Sequence, residues 1–182
     1  VNEAGNDANT NENVLNLDGV NDYVEIPASS NLAFGSDSFT VSMWVKPNSF
    51  STVDFTRLMY HNNFYLRAYQ GYVGISTTDN IIPQTPNWDV DVVSNNPIEL
   101  NKWTHVVGIR DQSTDRIKIY VNGIFDNEAD DSDTNVINEN ILKISGVEGE
   151  SFNGAIDDVM IFNKSLSSDE ITAIYNNQNN KT

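Results

Sequence analysis

Apolar and polar side chains alternate at period two in short runs along most of the chain, the pattern of strands with one face buried. The runs are Val14–Asp18, Tyr23–Ile26, Phe39–Lys46, Thr56–His61, Tyr65–Tyr69, Tyr72–Ser76, Trp103–Arg110, Arg116–Asn122, Ile141–Ser145 and Ala155–Phe162. So many short strands, with almost no helical periodicity, predict an all-β fold in which two antiparallel sheets pack as a sandwich. Asn122-Gly123, after the run Ile117–Val121, predicts a tight hairpin, because both residue types tolerate positive φ. One helix is predicted near the end, where Ser167 and Glu170 form a capping box, Leu166 and Ile171 staple its entry, and Ile171, Ile174 and Tyr175 share a face. Residues 1–13 and 176–182 are rich in Asn and read as linkers flanking a domain over 14–175. Pro83–Pro97, which contains Trp88, reads as a long surface loop.

One strand carries an anomaly. Within Ala155–Phe162, strict alternation puts Ile156, Met160 and Phe162 on one face and Val159, Ile161 and Asp157 on the other, with Asp157 and Asp158 on opposite faces. A buried carboxylate without compensation is costly, so Asp157 should be ion-paired, hydrogen-bonded or bound to a cation.

Composition narrows the partners. Twenty-six acidic against ten basic residues give a formal charge of −16, a field that repels nucleic-acid backbones and anionic lipid surfaces. The same acidity suits divalent cations and keeps a protein soluble where salt screens its self-repulsion. Without cysteine, disulfides, thiolate metal sites and cysteine nucleophiles are excluded, and His61 and His105 are the only imidazoles. No apolar run is long enough to span a bilayer, and the polar start lacks a signal-peptide pattern, so the chain reads as a piece covalently linked to other domains of a longer protein.

Five segments, in order, resemble the laminin G-like domains of the concanavalin A-like lectin/glucanase superfamily over roughly residues 14–175. They are Leu15–Ile26, Phe39–Pro47, Asn101–Val107, Ile119–Gly123 and Phe152–Val159. The resemblance implies a jelly roll and a choice among lectins, carbohydrate-binding modules, glycan-cleaving enzymes and protein-binding modules, which the fold does not decide. Glycanases of this superfamily resemble one another in a strand bearing Glu-x-Asp-x-(x)-Glu, and no such triad occurs here. A lyase would use His61 as base, Tyr60, Tyr65 or Tyr69 as acid, and Arg57 or Arg67 to neutralise a uronate.

A binding module asks for less chemistry. In Phe64–Gln70, alternation places Tyr65, Arg67 and Tyr69 on one face and Phe64, Leu66 and Ala68 on the other. Aromatic rings pack on the C–H faces of sugars and guanidiniums bind carboxylates or sulfates, so Arg57, His61, Tyr65, Arg67, Tyr69, Tyr72 and Trp88 are the candidate carbohydrate-binding residues. Clustering of Arg57, Arg67 or Arg110 on the tyrosine face would favour an anionic polysaccharide. The expectation is a non-catalytic polysaccharide- or glycan-binding module of a larger secreted or cell-surface protein. The alternative is an adhesion or spacer module that binds protein.

The resemblance further implies a structural calcium, with Asp18 and Asp157 at the matching positions and carbonyl or amide oxygens of Gly19 and Asn21 completing the shell. The rival reading of Asp157 is a carboxylate that caps neighbouring backbone amides. Asp126–Asp133 is denser in acid but lacks the glycine and final glutamate of an EF-hand loop, and reads as a solvated loop with at most a weaker second site.

Overall fold

In the computed structural model, which describes residues 14–51, 55–61, 64–77, 92–131, 136–146, 150–179 and 181, the chain forms twelve strands and one α-helix. The strands are β1 (Leu15–Asp18), β2 (Tyr23–Ile26), β3 (Phe39–Pro47), β4 (Thr56–His61), β5 (Phe64–Tyr69) and β6 (Tyr72–Ser76). They continue with β7 (Val92–Val93), β8 (Thr104–Asp111), β9 (Arg116–Val121), β10 (Ile124–Asp130), β11 (Leu142–Ser145) and β12 (Asn153–Phe162). Two six-stranded sheets result, in the orders β1-β12-β3-β8-β9-β10 and β2-β11-β4-β5-β6-β7, with antiparallel pairing throughout. This is the antiparallel sandwich that alternation predicts, with the jelly-roll architecture that the family resemblance implies.

The core lies between the sheets. From the first sheet it takes Phe39, Val41, Met43, Val45, Val106, Ile117 and Ile119; from the second, Met59, Phe64, Leu66, Val73, Ile75 and Leu142. Each set recurs at period two, so the opposite face of each sheet points outward. On the first sheet that outward face is covered by α1 (Ser168–Gln178), which packs Leu166 and Ile171 against Val107, Ile109 and Tyr120. The capping box is present, with Ser167 Oγ accepting from Glu170 N and the Glu170 carboxylate accepting from Ser167 N. Tyr175 stacks on Trp44 at 5.6 Å between ring centroids, and the Trp44 indole donates to Gln178 Oε1 at 3.0 Å. The helix thus runs past Tyr175. Among the described residues no helix is long and apolar enough to cross a membrane.

Asn122 (φ 52°) and Gly123 (φ 76°) make the tight turn between β9 and β10. The positive φ and the nearness of α1 both favour glycine at position 123. A Cβ there would lie 2.8 Å from Tyr175 Cβ, and Thr172 of α1 donates to its carbonyl at 3.0 Å. The partner strand β10 occupies part of what reads in the sequence as an acidic loop, Asp126–Asp133. It is an edge strand solvated on both faces, so it carries no apolar alternation. Val92–Val93, inside the predicted proline-rich loop, pairs with Gly74–Ile75 as a short edge strand.

Two bulges redirect side chains that alternation misplaces. In β12, Asp157 opposes Trp44 and Met160 opposes Ser42, so Asp158 and Val159 together face Met43, with Asp158 at φ 46°. Consequently Ile156, Val159 and Ile161 pack into the core. Asp157, Met160 and Phe162 turn outward beneath α1, where Gln178 Nε2 lies 3.9 Å from Met160 Sδ. In β4, Arg57 opposes Arg67 and Met59 opposes Leu66, leaving Leu58 as the extra residue. That bulge sends Arg57 outward and His61 inward.

Candidate functional site

The outward face of the second sheet gathers cations and rings. Arg57 and Arg67 are direct cross-strand partners, as are Tyr60 and Tyr65, and Tyr69 and Tyr72. The Tyr65 ring lies beside both guanidiniums, 5.4 Å from Arg57 Cζ and 5.1 Å from Arg67 Cζ. Arg57 also lies over Tyr60 at 4.6 Å, and Arg67 over Phe55 at 4.8 Å. Tyr60 and Tyr65 rings are 5.3 Å apart, and Phe55 and Tyr69 rings 5.7 Å apart. Lys143 stands opposite Tyr60, 3.3 Å from Glu25 and 4.5 Å from the Tyr23 ring. Stacking engages the flat faces of the guanidiniums, so their hydrogen bonds are made with the N–H edges. Arg57 directs its edge to the Glu150 carboxylate, and its backbone N–H donates to Glu150 O at 2.8 Å.

Of the candidate carbohydrate-binding residues, the fold brings Arg57, Tyr65, Arg67, Tyr69 and Tyr72 onto this one face. Their exposure differs: Tyr65 is 3% and Arg57 8% exposed, whereas Arg67, Tyr69 and Tyr72 are half-buried. Trp88 lies outside the described residues. Arg110 is elsewhere, on the first sheet, where it pairs with Asp131 at 2.7 Å.

His61 does not join the face. The Leu58 bulge turns it into the core, where it stacks on Phe64 at 5.0 Å and neither ring nitrogen has a hydrogen-bond partner. Burial lowers its pKa to about 4, which keeps it neutral. A His61 base and the arginines that would neutralise a uronate therefore occupy opposite faces of the sheet, which removes the lyase constellation. His105 is structural too: its Nε2 lies 2.8 Å from Ser42 Oγ, and its ring packs beside the stacked Trp44 and Tyr175 rings.

Phe55, Lys143 and Glu150 belong to the same face without standing among the sequence candidates, and Tyr60, named in the sequence only as a lyase acid, joins them. For Tyr60 a signal existed, since it is the cross-strand neighbour of Tyr65 once Leu58 is recognised as a bulge. Glu150 comes from a distant segment, and only the tertiary fold delivers it.

The four proposed calcium ligands do not converge. The β1–β12 register pairs Asp18 with Asn153, four residues before Asp157, a separation of about 13 Å along the strand. Asp18 Oδ1 instead accepts from Val20 N at 2.8 Å, within the turn that holds Gly19 and Asn21. Asp157 accepts from Asp158 N at 2.8 Å and forms an ion pair with Lys181, which also reaches Asp158 at 2.9 Å. The bulge gives the two carboxylates this shared partner, where alternation would have separated them. Around Lys181, burial opposes the charge, but the hydrogen bonds it donates to Asp157 and Asp158 prevail and raise its pKa. Asp126, Asp130 and Asp131 are likewise dispersed, bonded to Asn95, Arg116 and Arg110. Among the described residues no three His, Asp or Glu side chains are grouped to hold a metal.

The chain is thus a two-sheet jelly roll with aromatic residues and cations gathered on one outward face. A laminin G family model, described as the concanavalin A-like lectin/glucanases superfamily, matches residues 18–172, and the chain belongs to that family. Its fold is similar to the binding domain of Paraclostridial Mosquitocidal Protein 1, with a TM-score of 0.69 and 15% identity, covering 88% of this chain and 43% of that one. The receptor-binding domain of botulinum neurotoxin C/D mosaic serotype aligns with a TM-score of 0.65 and 17% identity, over 89% of this chain and 42% of that one. A putative carbohydrate-binding protein from Bacteroides ovatus aligns with a TM-score of 0.62 and 18% identity, over 86% and 45%. The chain spans less than half the length of each. No curated protein matches the sequence.

Proposed function

We infer that this chain is a non-catalytic glycan-binding module whose ligand face is the outer surface of the second sheet, and that it prefers acidic polysaccharides. The observation that carries the reading is the direct cross-strand pairing of Arg57 with Arg67 around the Tyr65 ring. Like charges placed opposite each other weaken a sheet, yet two of only four arginines in a chain of net charge −16 stand so. Glu150 offsets the charge of Arg57, and the half-buried Arg67 beside it still places a guanidinium on an otherwise acidic surface, where a carboxylate or sulfate gains most. The half-buried Tyr69 and Tyr72 border that place and offer ring surface to sugar C–H groups.

Several solved domains of similar fold are described as receptor-binding or carbohydrate-binding, which agrees with a binding role. As one domain of a longer secreted or surface protein, the module would hold its parent on a polysaccharide. The calcium expected from the sequence is no part of this reading, because Lys181 already neutralises Asp157. Affinity electrophoresis against uronate, sulfated and neutral polysaccharides tests it. Retardation by an acidic polymer supports the reading, and free migration through all of them refutes it.

A further inference from the structure

The arginine face carries acids of its own. Arg57 directs its edge to the Glu150 carboxylate, and Lys143 on the same face lies 3.3 Å from Glu25. The arrangement at Glu150 is built from the backbone outward. Arg57 N donates to Glu150 O at 2.8 Å, and Arg57 pairs with Ser151 in an isolated parallel bridge. The next two residues are tied down as well, Ser151 Oγ donating to Val20 O at 3.1 Å and Phe152 N to Ser145 Oγ at 3.0 Å. Residue 150 is thus held beside the face by the fold itself.

The Arg57 guanidinium is held in place by the rings it lies over, Tyr60 at 4.6 Å and Tyr65 at 5.4 Å, so it meets partners with its N–H edge. That edge is where Glu150 sits. The Glu150 side chain is 24% exposed against 10% for Arg57, so an approaching acidic group meets the carboxylate before the guanidinium. A like charge repels it there, and displacing Glu150 breaks a part-buried, charge-assisted hydrogen bond. One strand over, the half-buried Arg67 lies beside the Phe55 and Tyr65 rings. The face therefore places a position that favours an anion directly beside one that disfavours it.

We propose that Glu150 is the specificity-determining residue of the arginine face: it admits glycans whose acidic residues stand singly among neutral ones and turns away polyanions with an acid on every residue. The inference rests on the outer surface of the second sheet being the ligand face. In a sparsely charged glycan, one carboxylate or sulfate meets Arg67, and a hydroxyl of the neighbouring neutral residue donates to Glu150. In a densely charged glycan the next acid falls against Glu150 instead, and the net charge of −16 adds to the repulsion.

The test is calorimetric titration of the native protein and Glu150→Gln with two tetrasaccharides, one carrying a single uronate among neutral residues and one carrying a uronate at every residue. The native protein should bind the singly charged ligand more tightly. Glu150→Gln keeps an acceptor for Arg57 but removes the charge, and should shift the ratio of the two affinities roughly three- to tenfold towards the fully charged ligand, the scale of one like-charge contact. Glu128→Gln removes the same charge from β10, at the edge of the other sheet, and should leave the ratio as it is. A native preference for the fully charged ligand, an unchanged ratio in Glu150→Gln, or an equal shift in Glu128→Gln overturns the role of Glu150 and leaves the ligand face standing. Binding of neither ligand by either protein overturns the ligand face along with it. Thermal unfolding verifies that Glu150→Gln is folded. If it is not, Glu150→Asp, which draws the carboxylate back but keeps its charge, should shift the ratio less and in the same direction, and an unchanged ratio there is equally contrary.

Discussion

Asp157 and Lys181 form an ion pair, so the carboxylate that most resembles a cation ligand in the sequence is neutralised by an ammonium from the last residues of the chain. The Lys181 side chain is only 7% exposed, and it also lies over the Trp103 ring at 5.7 Å. The helix and the residues after it therefore act as a latch on the first sheet. Lys181→Ala leaves two partly buried carboxylates facing each other and should lower unfolding free energy by about 2 kcal/mol. Urea denaturation measures this, and added calcium should not restore the loss.

Stability should decline on mild acidification. His61 and His105 are neutral in the fold, burial having lowered each pKa from 6.5 to about 4, with Asp158 partly opposing the shift at His105. Between those values the unfolded chain binds more protons than the folded one. The contribution is therefore full above pH 6.5 and is lost as pH falls towards 4. Each histidine supplies on the order of 3 kcal/mol at most. His61→Leu should flatten the pH dependence of thermal unfolding over this window and raise stability, since it removes two unpartnered buried nitrogens.

The β9–β10 turn couples the hairpin to the helix. Gly123→Ala combines a positive φ with a contact on Tyr175 and should cost about 2 kcal/mol, lowering the denaturation midpoint. Asn122→Ala loses a residue suited to positive φ and the acceptor for His105 N, at 3.1 Å. It should be destabilising by about 1 kcal/mol.

The sandwich was legible because strands such as β3 and β9 place apolar residues at every second position, and the Tyr65, Arg67 and Tyr69 face followed from the same period. Where period two broke, the reading broke with it. One extra residue at Leu58 and one at Asp158–Val159 reverse the parity of everything beyond them, which is why His61 and Met160 changed sides. No propensity rule marks either position. Strand β10 escaped for another reason: beyond Ile124 and Phe125 it is a largely polar, solvated edge, and only Asn122-Gly123 announced that a partner strand had to follow. Lys181 was illegible as a partner of Asp157, since a lone lysine in an Asn-rich tail looks like a linker until the helix carries it back across the sheet.

Salt provides a separate check on the ligand face. If the Arg57–Arg67 pair recognises acidic groups by charge, binding of a uronate oligosaccharide should weaken as ionic strength rises from 0.05 to 0.5 M, over which screening shortens to roughly a few ångströms.

The most direct measurement is calorimetric titration of the protein and its Arg67→Gln variant with an acidic oligosaccharide and its neutral counterpart. The account predicts that the acidic ligand binds the native protein and weakens roughly tenfold or more in the variant, the scale of one charge-assisted contact. Equal affinity for both oligosaccharides, or an acidic ligand indifferent to Arg67→Gln, would contradict it.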